Sequence, residues 1–151
     1  MLTTSHMRSG RFAPAAPHCS PLATISSRAL KIRLLGTEAL TQAASPRLAH
    51  HVYVIELDPA VLRDRRFRAR NPNYVDGMPC VYVGMTGLPV QRRFANHRAG
   101  VKSNRYVRKY GVRLLPQLYE CFNPMPYAAA RQMEQELADE LQEKGYAVWQ
   151  G

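Results

Sequence analysis

The chain has 151 residues, enough for one ordinary domain, and carries 21 Lys and Arg against 11 Asp and Glu. The net charge of +10 makes a polyanion the first partner to consider, and the absence of a long apolar run argues against a membrane-spanning helix. Three widely spaced cysteines without a CxxC pair argue against a disulfide framework or a zinc site. They favour a reducing compartment, so we expect a cytoplasmic protein.

The positive charge is concentrated in the middle of the chain. Residues 63–113 contain thirteen Lys and Arg but only two acidic residues, whereas residues 114–151 contain two basic and six acidic residues. This contrast predicts a phosphate-facing surface built by the middle segment, with carboxylates supplied by a late helix.

Residues 1–48 are rich in Ser, Ala, Pro and Thr and show no sustained helical or strand period. Their single acidic residue is Glu38, and their Arg- and Ser-rich composition is also found in organelle transit peptides. The apolar face that a transit helix needs is weak here. We therefore expect a disordered or weakly structured basic tail.

A folded domain is expected over residues 49–151. The run His51–Leu57 is rich in β-branched and aromatic residues and predicts a first strand. A second strand is expected over residues 79–87, where it runs into a glycine turn. Between the two strands, the arginine-rich run over residues 63–70 is expected to be helical or flexible and to be followed by an Asn-Pro turn.

Two helices are expected to follow the second strand. Pro89 suits the first turn of a helix that ends at Gly100. Ser103 is the predicted N-cap of a second helix, which covers residues 104–110 and is closed by Gly111.

The last third of the chain predicts a strand and the longest helix. Residues 112–122 are predicted to form a third strand, which Pro116 marks as an edge strand or a bulge. Residues 127–144 repeat apolar side chains at helical spacing, and Gly145 is a suitable C-cap. The order of elements predicts a small α/β domain of the α+β kind, with a three-stranded, mainly antiparallel sheet flanked by helices.

Two strand motifs resemble those of the GIY-YIG nuclease family. They are His-Val-Tyr at 51–53 and Tyr-Val-Gly at 82–84. The second motif is followed by Arg93-Phe94-Ala95-Asn96-His97, which is similar to the arginine and histidine of the family's first helix. The resemblance covers about residues 50–151 and implies the family's fold.

Further elements agree with this resemblance in the same order along the chain. Residues 102–111 resemble the family's second helix region. Glu134 lies on the late helix, where the family carries its metal-binding glutamate, and Gly145 with Tyr146 resembles the start of the family's GYN ending.

The resemblance implies a metal-dependent endonuclease that hydrolyses phosphodiester bonds in DNA. Glu134 is the implied ligand of Mg²⁺, or of another divalent cation such as Mn²⁺. Tyr53 is the implied general base, and Arg93 would stabilise charge on the phosphate. Tyr82 and His97 would orient the attacking water and share its proton.

Each of these residues also has a purely structural interpretation. Glu134 equally fits a solvated helix charge, although it lies at the margin of the apolar stripe, and Arg93 fits a surface arginine like its neighbour Arg92. A strand tyrosine is commonly a half-buried sheet residue, and a lone histidine such as His97 commonly packs or caps a helix.

Basic side chains interleaved with Tyr106 and Tyr110 predict a nucleic-acid surface around the second helix. DNA is the expected partner, and RNA stays open beside it. The predicted nucleic-acid-binding residues are Arg92, Lys102, Asn104, Arg105, Arg108 and Lys109.

Two departures from the family pattern motivate other hypotheses. Residues 58–79 resemble an insertion whose basic run either adds a DNA contact or forms a solvated loop. Ala147 occupies the position of the asparagine in the family's ending. The function of that asparagine side chain is lost unless Gln150 supplies it. The alternative function is therefore a catalytically inactive nucleic-acid-binding module with the same fold. A third hypothesis is a small structural protein whose basic surface meets an acidic partner.

Overall fold

The computed structural model describes residues 47–151, so residues 1–46 of the predicted tail over 1–48 lie outside the described residues. The four strands of the described part are β1 (His51–Leu57), β2 (Cys80–Thr86), β3 (Gly111–Leu114) and β4 (Ala147–Gln150). Its four α-helices are α1 (Arg65–Ala69), α2 (Val90–Arg98), α3 (Arg105–Tyr110) and α4 (Tyr127–Glu143). Short 3₁₀ turns cover Pro59–Arg63, Pro116–Leu118 and Glu120–Phe122. Over this same part of the chain, no helix has the length and apolar character that crossing a membrane requires.

The four strands form one mixed sheet in the order β3-β1-β2-β4. β1 pairs antiparallel with β2 and with β3, whereas β4 lies parallel to β2. The α/β class is confirmed, but the predicted number of three strands is wrong. The chain turns after α4 at Gly145, whose φ of +87° suits glycine, and then returns along β2.

The third strand is shorter than the predicted 112–122. Gly111–Leu114 pairs with β1, and Pro116 then begins a 3₁₀ turn instead of extending the strand. Proline has no N–H to donate to a ladder and its φ suits the first position of a helical turn, which explains this early end.

Two helix ends also differ from the prediction. Asn104 rather than Ser103 caps α3, because the side-chain oxygen of Asn104 accepts a hydrogen bond from the backbone N–H of Tyr106 at 2.9 Å. The hydroxyl of Ser103 instead donates to the carbonyl of His97 at 2.9 Å. The longest helix, α4, ends at Glu143, one residue before the predicted end.

Both faces of the sheet are buried. Tyr53 and Ile55 project to one face of β1, while Val52 and Val54 project to the other, and all four side chains are buried. His97 of α2 is fully buried against the first face, and α4 contacts β4, β2 and β1. The strand pattern thus carries the motif tyrosines into the interior of the molecule.

Residues 58–79 fold onto the domain, and the arginine-rich run within them is helical, because the 3₁₀ turn Pro59–Arg63 and helix α1 cover most of it. The side chain of Asp58 accepts from the N–H of Ala60 at the first 3₁₀ turn. Asp64 caps α1 by accepting from the N–H groups of Arg66 and Phe67. Each short helical turn of this segment therefore begins at an aspartate.

Candidate active site

The two motif tyrosines lie on neighbouring antiparallel strands. Tyr53 is opposite Gly84 and Tyr82 is opposite Ile55, so both tyrosine side chains project from the same face of the sheet. Their ring centroids are 6.1 Å apart, and both side chains are buried. Strand pairing therefore brings the two motifs together across the intervening segment.

Gly84 leaves the space that the first tyrosine occupies. A Cβ at residue 84 would lie 2.8 Å from Oη of Tyr53 and 2.9 Å from Cε1 of Tyr82. Carbon atoms do not approach other heavy atoms this closely, so the phenol of Tyr53 crosses β2 only because residue 84 has no side chain. The close approach of Tyr53 therefore explains why the third residue of the Tyr-Val-Gly motif is glycine.

Helix α2 adds Arg93 and His97, which are four residues apart and therefore on one helical face. Nε2 of His97 lies 2.8 Å from Oη of Tyr53, and Nε of Arg93 lies 3.4 Å from the same oxygen. The guanidinium of Arg93 also donates to the carbonyl of Lys102 at 3.1 Å. Arg92 is exposed, so Arg93 is the arginine of the pair that meets the tyrosines.

Both ring nitrogens of His97 have hydrogen-bond partners. Nδ1 lies 3.4 Å from the backbone N of Asn104 and 3.4 Å from Oγ of Ser103, and Nε2 faces Oη of Tyr53. Burial, and then the positive charge of Arg93, lower the pKa of His97 to about 4, which leaves the imidazole neutral at pH 7. A neutral imidazole carries one proton, so His97 donates to Tyr53 when that proton is on Nε2 and accepts from the phenol hydroxyl when it is on Nδ1.

The hydroxyl of Tyr53 is therefore hydrogen-bonded to His97 and accepts a hydrogen bond from Arg93. Burial raises the pKa of Tyr53 above its ordinary value, while the hydrogen bond and charge of Arg93 and the hydroxyl of Tyr82 oppose the rise. Burial, and then the neighbouring Tyr53, raise the pKa of Tyr82 far above its ordinary value. Tyr53 is therefore the tyrosine whose oxygen is provided with donors that stabilise an ionised form.

Glu134 is a buried carboxyl on α4, 5% exposed, so the interpretation as a solvated helix charge is wrong. Its Oε1 is buried and has no hydrogen-bond partner among the described residues. Burial raises the pKa of Glu134 to about 7, and the backbone N–H of Gly151 partly opposes this rise. The charge of Glu134 adds to the raised pKa values of both Tyr53 and Tyr82, so the carboxylate is within electrostatic reach of the tyrosines.

The donor set around Glu134 fits a divalent cation that has few protein ligands. Within residues 47–151, no three His, Cys, Asp or Glu side chains come together as metal ligands. Mg²⁺ is usually held by one or two carboxylates and completes its shell with water and phosphate oxygens. A buried carboxylate oxygen without a partner is suited to that role.

The predicted nucleic-acid residues divide into exposed cations and one structural amide. The exposed members are Arg92, Lys102, Arg105, Arg108 and Lys109. The side-chain oxygen of Asn104 caps α3, so only the NH2 group of that amide is left to contact DNA.

Backbone groups complete the cluster, and no side-chain pattern predicts them. The carbonyl of Lys102 holds Arg93, the N–H of Asn104 holds His97, and the N–H of Gly151 lies beside Glu134. Their positions depend on how loops pack in the folded chain. Only the glycine of the second strand motif was visible in the sequence as a signal of close approach.

The position of the missing family asparagine is also defined. Ala147 is buried in β4 opposite Cys80. Gln150 pairs with Val83, whose side chain projects to the sheet face opposite that of Tyr82, so Gln150 does not replace the asparagine.

Comparison with models of known protein families found no match, and comparisons with curated proteins and with solved structures found none either. The likeness to GIY-YIG nucleases stays a prediction, and its residues are those described above.

Proposed function

We propose that the chain is a metal-dependent endonuclease of the GIY-YIG type that hydrolyses phosphodiester bonds in DNA. One observation carries this proposal: the buried hydroxyl of Tyr53 is hydrogen-bonded to His97 and accepts a hydrogen bond from Arg93. Tyr82 and the buried carboxyl of Glu134 belong to the same cluster. A phenol surrounded by donors, an arginine and an isolated carboxylate are the groups that phosphodiester hydrolysis needs.

In the proposed reaction, Tyr53 accepts the proton of the attacking water. Burial raises the pKa of Tyr53 in the free protein, so this role needs the hydrogen bond and charge of Arg93, and would need the charge of a bound divalent cation, to favour the ionised phenol. His97 is neutral at pH 7 and would donate from Nε2 to the ionised oxygen. Arg93 stabilises the negative charge that develops on the phosphate. A Mg²⁺ or Mn²⁺ ion held by Glu134 would supply further positive charge beside the scissile phosphate.

Nicking of supercoiled plasmid tests the proposal. The wild-type chain should nick in Mg²⁺ and should not nick in EDTA, and Glu134→Gln and Arg93→Ala should each abolish nicking while circular dichroism stays native. Asp139→Asn and Arg98→Ala are matched controls, because both residues are exposed on the same two helices. Unchanged nicking by either site variant would overturn the assignment.

The inactive nucleic-acid-binding module is the second candidate, because a specific observation favours it. The buried methyl group of Ala147 has no polar atom to offer where the family has an amide, and Gln150 projects from the other face. The same assay separates the two functions, since a module binds DNA but does not nick it in Mg²⁺.

A further inference from the structure

Five exposed arginines lie in and around α1, between the two tyrosine motifs. Within residues 47–151, none of them is within ion-pair distance of a carboxylate. The acidic residue of this run, Asp64, is already used as the cap of α1 and as the partner of Arg105 at 3.2 Å. These arginines, called the α1 surface here, are Arg63, Arg65, Arg66, Arg68 and Arg70.

The α1 surface is held in place by buried side chains beneath it. The ring of Phe67 is fully buried, stacks on Trp149 with ring centroids 6.1 Å apart, and meets Tyr106 edge-on at 5.3 Å. The amide of Asn71 accepts from the N–H of Val148 at 2.7 Å and donates to the carbonyl of Phe67 at 2.8 Å. A ligand of these arginines therefore does not have to order a loose loop, which would weaken its binding.

Trp149 connects the α1 surface to the candidate active site. It pairs with Tyr82 across β2 and β4, and neighbouring strands lie about 4.8 Å apart. The guanidinium of Arg70 lies 5.0 Å from the ring centroid of Trp149. Arg70, at the end of α1, thus lies against Trp149, whose strand is the neighbour of the strand that carries Tyr82.

Asp64 connects the same surface to α3. It accepts hydrogen bonds from both Arg105 and the hydroxyl of Tyr106. Arg108 and Lys109 of α3 are exposed as well. The contacts of Asp64 therefore place the start of α1 next to the start of α3, so the exposed cations of both helices lie in one region of the molecule.

We propose that the α1 surface binds the phosphate backbone of duplex DNA outside the scissile phosphate. The inference rests on the proposed endonuclease function, and it extends the DNA contact from the cleavage site across the segment between the tyrosine motifs. The cations of the α1 surface are all arginine, whose planar fork binds phosphate oxygens in pairs. Phosphate contacts position a duplex without reading its sequence, so the surface lengthens the footprint without adding sequence preference.

Two variants with the same loss of charge test the proposal in the full chain. The first is Arg65→Gln/Arg66→Gln/Arg68→Gln, which leaves Arg70 on Trp149. The control is Arg113→Gln/Arg131→Gln/Lys144→Gln, whose three cations are exposed on β3, on α4 and at the end of α4. Binding of a fluorescently labelled duplex is measured by anisotropy in EDTA, so that cleavage does not interfere, between about 50 and 200 mM salt.

The α1 variant should raise the Kd at least tenfold at about 100 mM salt, and the control should change it less than threefold. The slope of log K against log salt should lose about 0.9 for each phosphate contact removed, a loss of about 2 to 3 for the α1 variant. An equal loss of affinity for duplex DNA in the two variants, or an unchanged Kd in the α1 variant, would overturn the inference. Failure of the wild-type chain to bind duplex, as expected for a basic surface that meets an acidic protein, would overturn it too.

The proposed function fails on a different result. If Glu134→Gln nicks plasmid like the wild-type chain, the endonuclease assignment falls. If the wild-type chain nicks in Mg²⁺ and Glu134→Gln does not, while the α1 variant binds duplex normally, only the inference about the α1 surface falls.

Discussion

The hydroxyl of Tyr53 is buried and hydrogen-bonded to His97 and Arg93. Tyr53→Phe keeps the ring and removes only the oxygen. We expect plasmid nicking to fall by at least about 100-fold, because the proton acceptor is lost. We also expect the free energy of unfolding to fall by about 1–3 kcal/mol, because the buried ring nitrogen of His97 loses its hydrogen-bond partner.

Plasmid nicking and urea denaturation measure these two effects. Tyr127→Phe is the control, since that tyrosine is exposed at the start of α4. Wild-type nicking by Tyr53→Phe would show that another group accepts the proton.

Glu134 makes the stability of the free protein depend on pH. Burial raises the pKa of its carboxyl from 4.5 to about 7 in the folded chain, so the folded chain holds this proton more tightly than the unfolded chain. The resulting contribution to the free energy of unfolding, on the order of 3 kcal/mol, is complete below about pH 4.5 and is lost as the pH rises through about 7. Glu134→Gln, which cannot ionise, should therefore become more stable than the wild-type chain between about pH 5 and 8.

Urea denaturation of both proteins at each pH gives the difference directly. The pKa of His97 is lowered to about 4, so its contribution to the free energy of unfolding changes with pH in the opposite direction. This contribution is common to both proteins and cancels in the comparison. Asp139→Asn, an exposed carboxylate of the same helix, should track the wild-type chain. A difference between Glu134→Gln and wild type that stays constant with pH would contradict the prediction. Added Mg²⁺ at about pH 8 should stabilise the wild-type chain but not Glu134→Gln.

The sequence predicts the residue types of the site but not their contacts. The spacing of Arg93 and His97 predicts that they share one helical face, and the structure places both against Tyr53. The N–H of Asn104 contacts the ring of His97, and the N–H of Gly151 lies beside Glu134. These groups carry no side-chain signal, because every residue other than proline has the same N–H.

Among the elements, β2 has the strictest local requirement. Gly84→Ala would place a methyl carbon 2.8 Å from Oη and 2.9 Å from Cζ of Tyr53. Because that ring is packed in the core, we expect the phenol to move, nicking to be lost, and the free energy of unfolding to fall by about 1–3 kcal/mol. Plasmid nicking and urea denaturation are again the measurements.

Gly87→Ala is the matched control on the same strand end. A Cβ at residue 87 would lie 3.4 Å from its nearest neighbour, Nε2 of His50, which is a tolerable contact. Equal effects of the two substitutions would show that any side chain here is harmful and that Tyr53 has no special part in the loss.

The long strands could be predicted from the sequence, whereas the short strands could not. His51–Leu57 and Cys80–Thr86 have seven residues each, long enough for β-branched and aromatic residues to form a pattern. Gly111–Leu114 and Ala147–Gln150 have four residues each. One of these short strands was predicted too long and the other was missed, because four residues do not distinguish a strand from a loop.

At the scale of the whole molecule, the segment between the motifs belongs to the central core. Trp149 is the single tryptophan of the chain, and its ring contacts Phe67 of that segment and Tyr106 of α3. We expect unfolding in urea to give the same midpoint by tryptophan fluorescence and by far-UV circular dichroism, since one core unfolds as a unit.

Phe67→Leu should lower both midpoints together, because it removes part of a fully buried ring from that core. A fluorescence transition at lower urea than the circular dichroism transition would show that residues 58–79 open separately.

The last strand has a consequence for how the molecule is made. Every side chain of the candidate site is synthesised before β4, yet β4 brings Trp149 beside Tyr82 and is followed by Gly151, whose N–H lies beside Glu134. Chains are synthesised and fold from the N-terminus, so a growing chain carries all the site residues before it has a finished site. The proposed cleavage therefore requires the pairing of β4 with β2, although β4 itself supplies none of the side chains of the site.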